Sequence, residues 1–432
     1  MNRKLLHSVL AVMLAAMLLT GCADAGGDSS DNWPHKVSEI TRAESSSRKT
    51  PSEAEIVSRP DESEPPEEPE ITFSYATQYY LAQKNDSTVN AAAKVLLQGM
   101  NEHSSQISLR GCELPEDEFT SLFDMLRCCE PSLGWVEHYY EIDRDSQGNA
   151  VNAYFKYRLS KPDIADALQE LDLTAEQIAA KTEGLSDYDK LLTIHDYIIK
   201  HCDYDKDEDD AWCAYGCLVR GKAVCEGYSK ALCLLCDKVG IPCLPVSGSS
   251  EVDGQELHMW NKAQLDGCWY NFDVTWDDPT DANGNPAAEG SSNYDFIHYE
   301  YFGVSDERIQ IDHSFGESLM MKYPMAAYED GTYFCHTGQY ITSADQADDV
   351  FRRSCEAALE KGELIFQLGF SDESVYDEVY TYEFEDCHIF EVLDSLYIYD
   401  TPINTMRYEY IPDEEHLVMT FIMLPEEEYP PD

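Results

Sequence analysis

The sequence predicts an α+β protein, in which a helix that opens on a cysteine packs against an antiparallel hairpin and small α+β units flank this centre. Two observations carry the centre. Directly after Cys225, the residues Ala231, Leu232, Leu235 and Val239 fall on one helical face, and Gly240-Ile241-Pro242 ends the run. Further on, Glu256 to Leu265 and Cys268 to Trp276 are strand-like segments joined by Asp266-Gly267, a two-residue hairpin turn. The flanks rest on a third observation, the alternation of helix-period and strand-period segments on both sides. With 432 residues, 43% of them hydrophobic, the chain can bury more than one core.

Taken in order, the elements begin with Arg3 and Lys4 ahead of an apolar run, Val9 to Leu19. A basic n-region before an h-region too short to span a bilayer reads as an export signal. The run ends in Leu19-Thr20-Gly21-Cys22, which resembles a bacterial lipobox. That resemblance implies a signal peptide over residues 1–22, lipidation of Cys22, and anchoring to the outer face of the cell membrane. No later stretch reaches ~18 apolar residues, so the lipid is the expected membrane contact. Residues 23–70 are rich in Ser, Asp, Glu and Pro and cannot bury enough apolar surface to offset chain entropy; they read as a disordered tether.

Residues 71–160 read as an N-terminal α+β domain. Val89 to Met100 and Pro115 to Cys129 are helical, the latter with Phe119, Leu122, Phe123 and Leu126 in register. Trp135 to Ile142 and Val151 to Leu159 are strands joined by a turn at Asp145 to Asn149. Residues 161–324 form the central part, entered through helices at Pro162 to Lys181 and Asp187 to His201. Residues 325–432 read as a C-terminal α+β domain: a strand at Tyr333 to Tyr340, a helix at Ser343 to Lys361, a strand at Glu363 to Phe370, a helix at Glu373 to Glu383, then strands near Leu396, Met406 and Val418. The order of elements resembles that of residues 88–159, either by duplication or by recurrence of a short α+β order.

A formal net charge of -53, from 83 acidic and 30 basic residues, repels phosphate backbones and argues against nucleic acid as a partner. Asp207 to Asp210 and Asp277-Asp278 offer clustered oxygens to calcium, but the first lacks the spaced ligand pattern and reads as a solvated acidic loop. Cys213, Cys217, Cys233 and Cys236 have the ligand type for zinc, yet the helical setting of the second pair reads as buried thiols. No metal or other cofactor is expected. The pairing of the fourteen cysteines other than Cys22 is not readable from spacing.

Cys225 sits where its helix begins, and unpaired N–H groups with the helix dipole favour a thiolate there. If the Asp266-Gly267 turn sets the register, Leu265 faces Cys268, Trp260 faces Asp273 and His258 faces Thr275. His258 and Asp273 are then diagonal neighbours on one face, ~7–8 Å apart at the backbone, within reach of a side-chain hydrogen bond. The carboxylate would fix the ring tautomer while the other ring nitrogen takes the thiol proton.

The run Gly221 to Ser229 around Cys225, His258-Met259-Trp260-Asn261, and Asp266 to Asp277 together resemble the core of the transglutaminase-like superfamily. The likeness extends upstream through His195-Asp196-Tyr197-Ile198 and Cys202 to Asp205, and downstream through Tyr301 to Asp306 and Asp312-His313. It implies a papain-like fold and a catalytic Cys225, His258 and Asp273. It also implies amide cleavage or rearrangement through a thioacyl enzyme, with water or an amine as acceptor. Where papain-like proteases carry a glutamine for the oxyanion hole, this chain has Val219; the Cys225 N–H is one candidate donor, and Tyr215 or Trp212 a second. The expected partner is a peptide or protein substrate, with cell-wall peptides and proteins left open. The alternative is a catalytically silent surface binding module on the same fold. His195 and His313 are given no chemistry, and oligomeric state is not legible.

Overall fold

The computed structural model describes residues 71–250, 256–278, 296–316, 321–396 and 403–425. The expected signal peptide, Cys22 and the tether lie outside the described residues. Among those residues, no helix is long and apolar enough to cross a membrane.

Side-chain caps set the first helices. In α1 (Tyr75–Lys84) the Ser74 hydroxyl accepts from the Thr77 N–H, and in α2 (Ser87–Asn101) the Asp86 carboxylate accepts from Thr88 and Val89. Then α3 (Glu116–Cys129) opens with three acids, favourable at the positive end of a helix. These helices cover β1 (Gln106–Ser108), β2 (Val136–Arg144) and β3 (Ala150–Tyr157), antiparallel in the order β1-β3-β2. The expected turn is held by Asp145, whose Oδ1 accepts from the N–H groups of Gln147 and Asn149.

In the central part, α4 (Lys161–Ala179) and α5 (Asp187–His201) start at Ser160 and Ser186, whose hydroxyls accept from the third helical residue. The two-residue strands β4 (Asp203–Tyr204) and β5 (Lys222–Ala223) pair in parallel just ahead of α6 (Cys225–Val239), which stops at Gly240 in the left-handed conformation, φ 79°. Five antiparallel strands follow in the order β10-β6-β7-β8-β9: β6 (Cys243–Ser250), β7 (Glu256–Leu265), β8 (Cys268–Phe272), β9 (Phe302–Val304) and β10 (His313–Phe315). Tyr228, Leu232 and Leu235 of α6 share one core with Ala263, Leu265 and Phe272 of the sheet. This is the mixed architecture expected, a cysteine-bearing helix on an antiparallel sheet.

The hairpin turn is as predicted, with positive φ at both Asp266 (49°) and Gly267 (84°), and pairing runs from Leu265–Cys268 to Asn261–Phe272. It then departs. Strand β8 ends at Phe272 instead of Trp276, so the expected pairs Trp260–Asp273 and His258–Thr275 do not form. Asp273 gives its N–H to the Tyr301 carbonyl, and its Oδ1 accepts from the Thr275 and Trp276 N–H groups at 3.0 and 3.1 Å. An aspartate turn therefore lifts the chain off the ribbon.

Beyond the sheet, α7 (Asp306–Ile309) precedes β10, and the C-terminal part contains α8 (Tyr333–Thr337), β11 (Tyr340–Ile341), α9 (Ala347–Lys361), β12 (Ile365–Phe370), α10 (Glu373–Tyr380), α11 (Ile389–Ser395), β13 (Ile403–Asp413) and β14 (Val418–Pro425). Two expectations fail here. Tyr333 to Thr337 is a helical turn cut out by the Thr332 cap and Gly338, although its aromatic content reads as strand. Leu396 closes a helix, because Ile389, Val392, Leu393 and Leu396 recur at helical spacing and all are buried. The sheet order β11-β12-β14-β13 places the last strand between the first long strand and its hairpin partner, as β1-β3-β2 does in the N-terminal part. The likeness of the two flanks thus extends from element order to strand topology.

Candidate active site

Cys225 is the first residue of α6, behind an extended Val224 with no side-chain cap. The sulfur is half-buried. The backbone N–H groups of Cys225 and Glu226 have no acceptor one turn back, so they are free to bind negative charge in front of the helix. The first turn is seated tightly. Val224 donates to the Ala211 carbonyl at 3.1 Å, and a Cβ on Gly227 would lie 2.3 Å from that same oxygen. Two bonds join this turn to the strand that carries His258: Ser229 Oγ donates to the Trp260 carbonyl at 3.1 Å, and Asn261 Nδ2 donates to the Ser229 carbonyl at 3.0 Å. The same Asn261 amide reaches Cys233 Sγ at 3.1 Å.

His258 on β7 and Asp273 in the turn after β8 are both buried, with Nε2 2.5 Å from Asp273 Oδ2. The Cys225 side chain is close enough to contribute to raising the same imidazole, whose Nε2 is turned to the carboxylate. The structure thus places Asp273 on His258 and Cys225 in the same neighbourhood, though Asp273 arrives by its own turn and not by strand register. Burial opposes charge on His258, but the Asp273 carboxylate and the thiol outweigh it and push the imidazole up to about 10. Burial would raise Asp273, yet His258 and His313 hold it well below the usual carboxylate range.

Of the candidate oxyanion donors, Tyr215 is buried and its hydroxyl donates to Glu170 Oε2 at 2.8 Å, which engages the proton it would have offered. Trp212 is 48% exposed, beside the seat of α6, where its carbonyl accepts from Lys230 Nζ. Its indole N–H makes no bond among the described residues.

Two histidines carry more than the sequence reading gave them. His313 Nε2 lies 3.0 Å from Asp273 Oδ2, the oxygen that also faces His258, and its Nδ1 lies 2.5 Å from Asp312 Oδ1. His195 on α5 stands between Asp196, 3.2 Å from Nδ1, and Asp277, 3.0 Å from Nε2. Asp277 and Asp278 are both buried, Asp277 on His195 and Asp278 on the Tyr228 hydroxyl. Motif membership was the available signal, since both histidines stand beside an aspartate in the resembling segments. The donor atoms of His258, Asp273 and His313 lie within 4.8 Å of one another and have the chemistry of a metal site. Both ring nitrogens meet one carboxylate oxygen at hydrogen-bond distance, however, and protons account for that arrangement. Cys213, Cys217, Cys233 and Cys236 are all buried, and the Cys233 sulfur faces Cys243 at 3.6 Å.

His195 is held at about 9, and His416, near the C-terminus, at about 10; burial opposes the charge in each, and the carboxylates on both ring nitrogens outweigh it. Burial lifts Asp277 to about 7, but the second carboxylate on His195 keeps that ring doubly protonated, so Asp277 faces a cation. For an imidazole whose folded value exceeds ~6.5, the stabilising contribution is complete below that pH and is lost as pH climbs through the folded value. The melting temperature followed by circular dichroism is therefore expected to fall as pH rises from about 6.5 to about 10. A flat profile across that window would contradict these charge states.

Residues 173–274 match the family model described as the transglutaminase-like superfamily. The chain therefore carries a transglutaminase-like domain. Among solved structures, it resembles a protein described as a TGase, at 15% identity over 43% of this chain and 54% of that one, TM-score 0.24. It also resembles a protein from Cytophaga hutchinsonii provisionally described as a cysteine protease, at 14% identity over 46% of this chain and 82% of that one, TM-score 0.23. This chain thus spans about half the length of the TGase structure. Among curated proteins, none matches.

Proposed function

On a chain with a transglutaminase-like domain over residues 173–274, we propose a thiol enzyme that opens peptide or protein amide bonds through a thioacyl intermediate. The general class, a cysteine-dependent enzyme type, has the family match behind it. One observation supports the finer reading: a single buried imidazole is held by Asp273 at Nε2 and raised in part by the nearby Cys225 side chain, where a helix begins. With the imidazole held at about 10, His258 already carries the proton as the Cys225 sulfur attacks the carbonyl carbon, and the oxygen's developing charge falls beside the Cys225 N–H. The proton then passes from His258 to the departing amine as the C–N bond breaks. Water or a second amine, deprotonated by the same ring, releases the acyl group. Asp273 keeps the ring oriented and stabilises the imidazolium without taking its proton.

The proposed setting is the outer face of the cell membrane, with Cys22 as lipid anchor and residues 23–70 as a tether, so that peptides or proteins at the cell surface become substrates. A thiol-directed electrophile is expected to label Cys225 in the wild type, read by mass spectrometry of the tryptic peptide, and to label it far more slowly in His258→Ala. Equal rates in the two proteins would refute activation by this base. The engagement of Tyr215 with Glu170 favours a second reading, a binding module with a silent site; a Cys225→Ala protein that fully restores a deletion strain would decide for it.

A further inference from the structure

We infer that the C-terminal hairpin turn completes the proposed catalytic centre from behind: His313 and His416 are positioning residues that hold Asp273 in place for His258. The inference rests on the thiol-enzyme reading and extends it to a part of the chain outside the family match. The turn between β13 and β14 places His416 against the segment that leads into β10. Its Nδ1 lies 2.9 Å from Asp413 Oδ2, and its Nε2 lies 3.0 Å from Asp312 Oδ2. The other oxygen of Asp312 faces His313 Nδ1, and His313 Nε2 faces Asp273. An unbroken line of contacts thus runs from His258, the ring that Cys225 adjoins, through Asp273, His313, Asp312 and His416 to Asp413.

Proton counting fixes the charges along it. A ring with a carboxylate on each nitrogen must donate from both, so His313 and His416 are imidazolium cations alternating with Asp273, Asp312 and Asp413. Two further groups meet this arrangement. The Tyr301 hydroxyl donates to Asp312 Oδ2 at 2.5 Å and lies 3.2 Å from His416 Nε2, while the Arg308 guanidinium of α7 donates to the His416 carbonyl. His313 is enclosed by the rings of His258, Trp260, Trp276 and Tyr301. Tyr301 also accepts the Asp273 N–H through its carbonyl, so the residue that steadies Asp312 steadies the backbone of Asp273. Burial would discharge His416, and its two carboxylates keep it charged to about pH 10.

Removing the His416 cation withdraws a donor from Asp312 and a positive charge from the line, which disfavours a thiolate at Cys225. The test is the pH dependence of Cys225 alkylation by iodoacetamide in the full chain, read on the Cys225 peptide, for wild type, His416→Gln and Asp413→Asn. Near-UV circular dichroism checks that each is folded. His416→Gln is expected to slow alkylation at neutral pH roughly tenfold, the effect of one charge-assisted hydrogen bond, and to move the acidic limb of the profile upward. Asp413→Asn, at a half-exposed site, is the second probe if loss of His416 unfolds the chain, and it should shift the limb the same way by a smaller amount. An activated wild-type profile shared unchanged by the folded variants overturns this inference alone. An ordinary thiol profile in the wild type overturns the thiol-enzyme reading with it.

Discussion

Replacing His258 by alanine is expected to lower turnover of an amide substrate by about 10⁴-fold or more while leaving KM nearly unchanged. The imidazole acts on a proton that moves only as the reaction proceeds, so its loss falls on kcat. Among the described residues, no second base stands ready at close range. The other buried ring nearby, His313, already has both nitrogens on carboxylates and has no lone pair to accept a proton. The measurement is product formation from a peptide pool, followed by mass spectrometry with and without an added primary amine, which also separates hydrolysis from acyl transfer. A loss of less than tenfold would mean that His258 is not the base.

Asp277→Ala is expected to destabilise the fold by about 3 kcal/mol, measured by urea denaturation at neutral pH. The carboxylate is wholly buried, faces the His195 imidazolium, and accepts the Tyr301 N–H at 3.0 Å. Removing it leaves a buried cation with Asp196 alone and an amide without an acceptor, the situation in which a broken internal pair costs ~3–5 kcal/mol. Asp277→Asn should cost less, because it can still accept from Tyr301. Equal stability of Asp277→Ala and wild type would show that His195 is neutral in the folded state.

How much of this was legible depended on how far apart the causes lie along the chain. Cys225 could be placed at a helix start because the stripe through Val239 and the Gly240 stop are local, and the hairpin turn could be placed because Asp266-Gly267 suits positive φ. The position of Asp273 was expected from strand pairing and is reached by another route. Its turn depends on the carbonyl of Tyr301, across a segment that no periodicity connects to it. The Asp273–His313 contact spans 40 residues and the Asp312–His416 contact 104, so neither leaves a mark in a sequence window. Failures in secondary structure had local causes. A Thr332 cap and a Gly338 stop outweighed strand-like composition in Tyr333 to Thr337, and α1 buries only Ala76, Thr77, Tyr80 and Leu81, too sparse a face to stand out.

The amide of Asn261 has a mechanical consequence. It sits three residues along β7 from the base and clasps the backbone four residues along α6 from the nucleophile. Together with the Ser229 hydroxyl on the Trp260 carbonyl, it ties sulfur and imidazole to one short brace, so flexing of the ribbon carries both together.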